Sequence, residues 1–291
     1  MYEIRARHRY VRYRTDKREN ESKNVRVRFL HRVPVLMTDD AAASDGVHEQ
    51  LVAIFANELR HPLAPIRDAA ARIKLAAVDA DTLRHAAEII ERQASDMHRL
   101  IGDLLDVSRM QVGALDLRVK PALLTQLVEH AVESAAPLAR ERGHTLHVSV
   151  TPDPVYLNID VLRLSQALHN IIVNASKFTQ REGHIYVHSR REHEDVVIEV
   201  RDTGMGIPAS EIETIFDLFW RCERQESGEP GLGLGLYLSR FLIEAHGGTV
   251  SAASEGAGRG SVFTVRLPRE LTMRPQASSL AKEPGGDPFP A

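Results

Sequence analysis

The chain has 291 residues, 43% hydrophobic and 26% charged, with a net charge of −3 at pH 7 and a mean hydropathy of −0.25. That composition is ordinary for a globular protein with a proper core, and no apolar run approaches the ~18 residues of a membrane span. Cys222 is the only cysteine, so an internal disulfide is excluded and a reducing, cytoplasmic setting is expected.

Residues 1–36 carry eleven Lys or Arg against four Asp or Glu, and the remainder carries 26 against 36. Such an arm can meet nucleic acid or anionic lipid, or simply be solvated. The expectation over 1–46 is a basic, disordered arm and acidic linker, with no membrane and no direct nucleic-acid partner. From 47 to 112 two helical stripes follow each other. Leu51, Ile54, Phe55, Leu59, Leu63, Ile66, Ala70 and Ile73 recur at three-four spacing. After "AVDADT", with Asp81 as expected N-cap, come Leu83, Ala87, Ile90, Ala94, Met97, Leu100, Ile101, Leu104 and Leu105. Two long helices and a short connection make an antiparallel hairpin that buries one face poorly. Two hairpins would close a four-helix bundle, so a homodimer is predicted.

From 113 to 270 the texture changes to α+β. Strands are predicted at "ALDLRV", "HTLHVSV", "HIYVHSR", "DVVIEVRDT", "GTVSAAS" and "SVFTVRLP". Helices are predicted over "LLTQLVEHAVESAAPLARERG", from Asp160 to about Phe178, and from about Gly235 to Ala245. This is a mixed sheet covered by helices, an α/β sandwich following a helical hairpin. Residues 271–291 are rich in Pro, Gly and Ser and read as a disordered tail.

Four stretches of the second domain converge on one ligand. In "VRDTGMGIP" Asp202 ends a strand, and Gly204 and Gly206 let backbone approach a planar group whose exocyclic amine the carboxylate can accept. In "GLGLGLYLSR" Gly231, Gly233 and Gly235 precede a helix, where backbone N–H groups cradle phosphate. In "RLSQALHNIIVNASKFT" Asn170 and Asn174 share a helix face, and Lys177 follows three on; amide oxygens suit Mg²⁺ and the ammonium suits phosphate. In "IFDLFW" Phe216 and Phe219 anchor the start of a polar stretch that suits a lid. His184, His188 and His193 cluster without making a metal site, and Cys222 reads as inert.

Together these stretches resemble the N, G1, F and G2 boxes of bacterial two-component sensor histidine kinases. "FANELRHPLAPIRDAA" resembles their H box, on the dimerisation and phosphoacceptor hairpin. The resemblance covers about 48–268. It implies a Bergerat-type ATP-binding fold, a protein histidine kinase activity, and a response-regulator receiver domain as partner. By position Asp202 would meet adenine, Asn174 would hold Mg²⁺ with Asn170 beside it, and Lys177 would meet the phosphates. Gly204, Gly206, Gly231, Gly233, Gly235 and Phe219 would shape the pocket. One departure stands out. The family's box begins with the phosphorylated histidine, whereas here Asn57 holds that position and His61 stands where Asn or Thr is usual. His61 is the displaced acceptor candidate, with Glu58 three residues before it to orient the ring. His85 and His98 on the second helix are weaker candidates. The alternative is an ATP-binding scaffold that docks a response regulator or a partner kinase without phosphorylating itself.

Overall fold

The computed structural model describes residues 11–12, 23–26, 28–29, 59–74, 79–111, 115–220, 222 and 233–273. Three short strands come first: β1 (Val11–Arg12), β2 (Lys23–Arg26) and β3 (Arg28–Phe29). The hairpin follows as α1, over 59–73, and α2 (Ala80–Gln111). The cap of α2 is Asp79 rather than the expected Asp81. Its carboxylate accepts both the N–H and the hydroxyl of Thr82 at 2.8 Å. An N-cap oxygen must reach the N–H three residues on, and Asp81 instead pairs with Arg84 at 3.1 Å. Leu63, Leu83, Ile101 and Leu105 are 41–50% exposed, so one chain leaves much of the hairpin's apolar surface uncovered.

The second region runs β4 (Asp116–Leu123), α3 (Leu124–Glu141), β5 (Thr145–Ser149), β6 (Tyr156–Ile159), α4 (Val161–Phe178), β7 (His184–Glu192) and β8 (Asp195–Asp202). It closes with α5 (Gly235–Ala245), β9 (Thr249–Ala253), β10 (Val262–Leu267) and β11 (Thr272–Met273). Five strands form one mixed sheet in the order β5-β7-β8-β10-β9, with β5–β7 parallel and the other pairs antiparallel. A second sheet, β11-β6-β4-β2, is antiparallel.

Alternation along β7 and β8 sends Ile185, Val187, Ile198 and Val200 inward to α3, α4 and α5, and His184, Tyr186 and His188 outward to solvent. Leu127, Ile171, Ile172, Ile185, Ile198 and Leu242 are fully buried between the layers. The helices stop where backbone chemistry dictates. Gly143, at φ +71°, follows the cap of α3, and the next N–H, of His144, returns to the Ala139 carbonyl at 2.8 Å.

Within the segment expected as a disordered arm, Lys23–Arg26 pairs with Asp116–Val119, and Thr272–Met273 of the expected tail pairs with β6. β6 itself has no counterpart in the sequence reading. Only four residues long, it offers too little alternation to stand out behind "TPDP".

Candidate functional site

Asp160 fixes the phase of α4. One carboxylate oxygen accepts the Arg163 N–H at 3.2 Å and the other the Arg118 N–H at 2.8 Å. From that start Arg163, Gln166, Asn170, Asn174 and Lys177 fall on a single helix face. Asn170 is buried and donates through Nδ2 to the Gly235 carbonyl at 3.3 Å, tying α4 to the first turn of α5. Asn174 lines a cavity together with Asp202 and Gly206. Lys177 follows in the last turn of α4, partly buried.

Asp202 ends β8 on the inward face, 3% exposed. Its Oδ1 accepts the N–H groups of Gly204 at 2.8 Å and Ser261 at 3.2 Å, and its Oδ2 accepts the Ser261 hydroxyl. Burial raises its pKa above the ordinary carboxylate value, while the bonds from Ser261 and Gly204 pull it back. Close backbone approach surrounds it. A Cβ at Gly204 would lie 2.3 Å from the Phe178 carbonyl oxygen. Gly206, at φ +73°, would put one 2.0 Å from the Gly256 oxygen. Phe178, Ile207, Ile215 and Phe263 give the cavity apolar walls, and Trp220 and Cys222 also line it. An apolar slot with one bonded carboxylate and a nearby amide suits a flat heterocycle bearing an amine.

Residue by residue, the placement differs in places from the sequence expectation. Gly233, at φ +67°, lies against the Trp220 carbonyl, where a Cβ would come within 2.3 Å. Gly235 opens α5. Phe219 does not line the cavity. At φ +66° it packs with Leu218 into a second cluster with Val107 and Met110 of α2 and Leu234 and Leu238. Trp220 lines the cavity instead. Phe216 is buried edge-on to Phe263, ring centroids 6.2 Å apart. Cys222, read as inert, is a wall residue. Ser261 was not singled out by the sequence reading; its signal is the small polar residue after "GRG" at the start of the strand that pairs with β8.

His61 is exposed on α1, next to buried Pro62, and His85 and His98 are exposed on α2. Asn57, Glu58 and Gly231 lie outside the described residues. Among the described residues no three His, Cys, Asp or Glu side chains gather as a metal site. A cation here would rest on an amide oxygen and on the ligand's own oxygens, the arrangement Mg²⁺ accepts with phosphates. The residues fit that group.

These features define a class, the histidine kinase-, DNA gyrase B- and HSP90-like ATPases, which residues 159–271 match. Residues 47–113 match the His Kinase A (phospho-acceptor) domain. Together the two matches place the chain in the two-component sensor histidine kinase family.

Among curated relatives, the circadian input-output histidine kinase CikA of Synechococcus elongatus is 31% identical over 258 residues, 86% of this chain and 33% of that protein. The sensor histidine kinase MtrB of Mycobacterium leprae is 31% identical, covering 80% and 42%, and YclK of Bacillus subtilis is 31% identical, covering 82% and 50%. The chain thus spans half or less of these relatives. Among solved structures, full-length ShkA in complex with AMPPNP shares 27% identity at a TM-score of 0.55, over 76% of this chain and 45% of that one. The histidine kinase ThkA in complex with the response regulator protein TrrA, 20% identical at a TM-score of 0.56, covers 92% and 77% and shares the fold. No helix among the described residues is long and apolar enough to cross a membrane.

Proposed function

We propose that this chain binds Mg-ATP, transfers the γ-phosphoryl group to a histidine nitrogen, and yields it to an aspartate of a response-regulator receiver domain. The observation that carries the reading is the buried Asp202, bonded by Ser261 and Gly204 at one end of a cavity that Asn174 also lines. In this reading Asp202 accepts the adenine amine, Asn174 supplies an amide oxygen to Mg²⁺, and Lys177 meets the phosphates. Mg²⁺ would offset charge on the β- and γ-phosphoryl oxygens. His61, exposed on α1, is the acceptor. Its unprotonated ring nitrogen attacks the γ-phosphorus, the bond to the β–γ bridging oxygen breaks, and ADP leaves. Glu58, three residues earlier, holds the other ring nitrogen protonated. The exposed leucines and isoleucines of the hairpin pair with a second copy to close a four-helix bundle, making a homodimer. A reducing, cytoplasmic setting for these domains rests on the single cysteine.

The test is incubation with γ-labelled ATP, followed by acid treatment of any labelled protein. Acid-labile label that His61→Ala removes while ATP binding persists supports the reading. No label on the wild type, with label gained by Asn57→His, overturns it in favour of the scaffold.

A further inference from the structure

The five-stranded sheet has a second face, turned away from α3, α4 and α5, and near its β5 edge that face gathers imidazoles. His184, Tyr186 and His188 alternate outward along β7, and His147 stands opposite Tyr186 on the parallel neighbour β5. All four side chains are exposed. In register His147 therefore lies between the two histidines of β7, one diagonal position from each.

The rings are ordered against one another. Nε2 of His147 and Nδ1 of His184 face each other at 3.2 Å. His147 stacks on Tyr186, with centroids 4.6 Å apart and planes 11° from parallel, and His184 leans on the same tyrosine at 6.2 Å. The phenol ring thus backs both imidazoles, so little rotamer freedom is left to lose on binding a shared ligand. As a hydrogen bond between two exposed rings the contact contributes little, because water replaces it. Its spacing matches a different use. Two nitrogens each 2.0–2.1 Å from one Zn²⁺ at a tetrahedral angle stand about 3.3–3.4 Å apart.

We propose that His147 and His184 bind a divalent transition-metal ion of the Zn²⁺ and Cu²⁺ class, with water completing the coordination. Imidazole selects these ions over Mg²⁺, which prefers oxygen. Both facing nitrogens must be unprotonated in the complex. The proton between them moves to the far nitrogen of its own ring, and no charge changes. Glu199, opposite His188 on β8, is engaged by Arg190 at 2.7 Å and offers no third ligand. Arg201 stands opposite Tyr186 on β8, one strand farther from His147. The bound ion clamps β5, the strand at the sheet's edge, to β7. No residue of the nucleotide cavity takes part, so this site stands or falls apart from the nucleotide reading.

The full chain is titrated with Zn²⁺ in competition with a chromophoric zinc indicator, and Mg²⁺ serves as the control ion. One Zn²⁺ per chain is expected at this site, undisturbed by Mg²⁺. His147→Gln and His184→Gln should each weaken it roughly tenfold to a hundredfold, because the second imidazole no longer binds as an intramolecular ligand. His188→Gln removes an equally exposed imidazole from the same face and should leave the affinity unchanged. Zn²⁺ should also raise the thermal midpoint of the wild type, and less in the two ligand variants, since the ion binds the folded chain. Circular dichroism confirms that the variants, all at exposed positions, keep the fold. Equal Zn²⁺ affinity in the wild type and both ligand variants overturns the site. So does an equal loss in His188→Gln, one ion shared between two chains, or a midpoint shift of the same size in both ligand variants.

Discussion

The N–H of Asp160 ends on the ring of His246, 3.1 Å from Nε2, while Nδ1–H of the same ring donates to the Leu242 carbonyl at 2.7 Å. This fixes the neutral tautomer and joins the end of α5 to the start of α4, the helix that carries the polar face of the site. Burial lowers the pKa of His246 below the ordinary imidazole value of 6.5. The unfolded chain therefore takes up the proton first. The stability this ring contributes is fully present above pH 6.5 and is lost as pH falls through the lower folded value. His246→Phe leaves the Asp160 N–H without its partner and should cost about 1–3 kcal/mol at pH 7. Denaturant titrations between pH 5 and 8 should show a shallower acid loss in the variant. Equal slopes would show that the ring does not titrate with unfolding.

Asp202 should decide nucleotide binding. A hydrogen bond to a charged group contributes about 1.5–3 kcal/mol, so Asp202→Ala should weaken ATP roughly tenfold to a hundredfold. Asp202→Asn keeps the shape, yet its amide would face the hydroxyl of Ser261 and the adenine amine with a donor. Calorimetry on both variants separates the two effects. Affinity unchanged in Asp202→Ala would remove the carboxylate from the site.

How much of this was legible beforehand varied with range. α4 and α5 were readable because their signals are local: Asp160 caps one, and Gly235 opens the other after a run of alternating glycines. Asp202, Asn174 and Gly206 were readable as types in a spacing, and the fold brings them to one cavity. Ser261 was harder, since its role exists only once β10 lies beside β8 and sets it against Asp202. Phe219 and Trp220 are adjacent in sequence, and only the folded packing sets Trp220 against the cavity and Phe219 against the cluster with α2. The bond between Arg163 and Asp106 spans 57 residues with no periodic signal. Nothing in either stretch alone marks it.

Cys222 supplies a second report on occupancy. It lines the cavity beside Trp220 and is partly accessible. A small maleimide should label it in the free protein. At ATP concentrations about ten times Kd, labelling should slow roughly tenfold, because only the unoccupied fraction reacts. Protection by ATP in the wild type that disappears in Asp202→Ala would join the thiol and the carboxylate in one site. Labelling indifferent to ATP would place the ligand elsewhere.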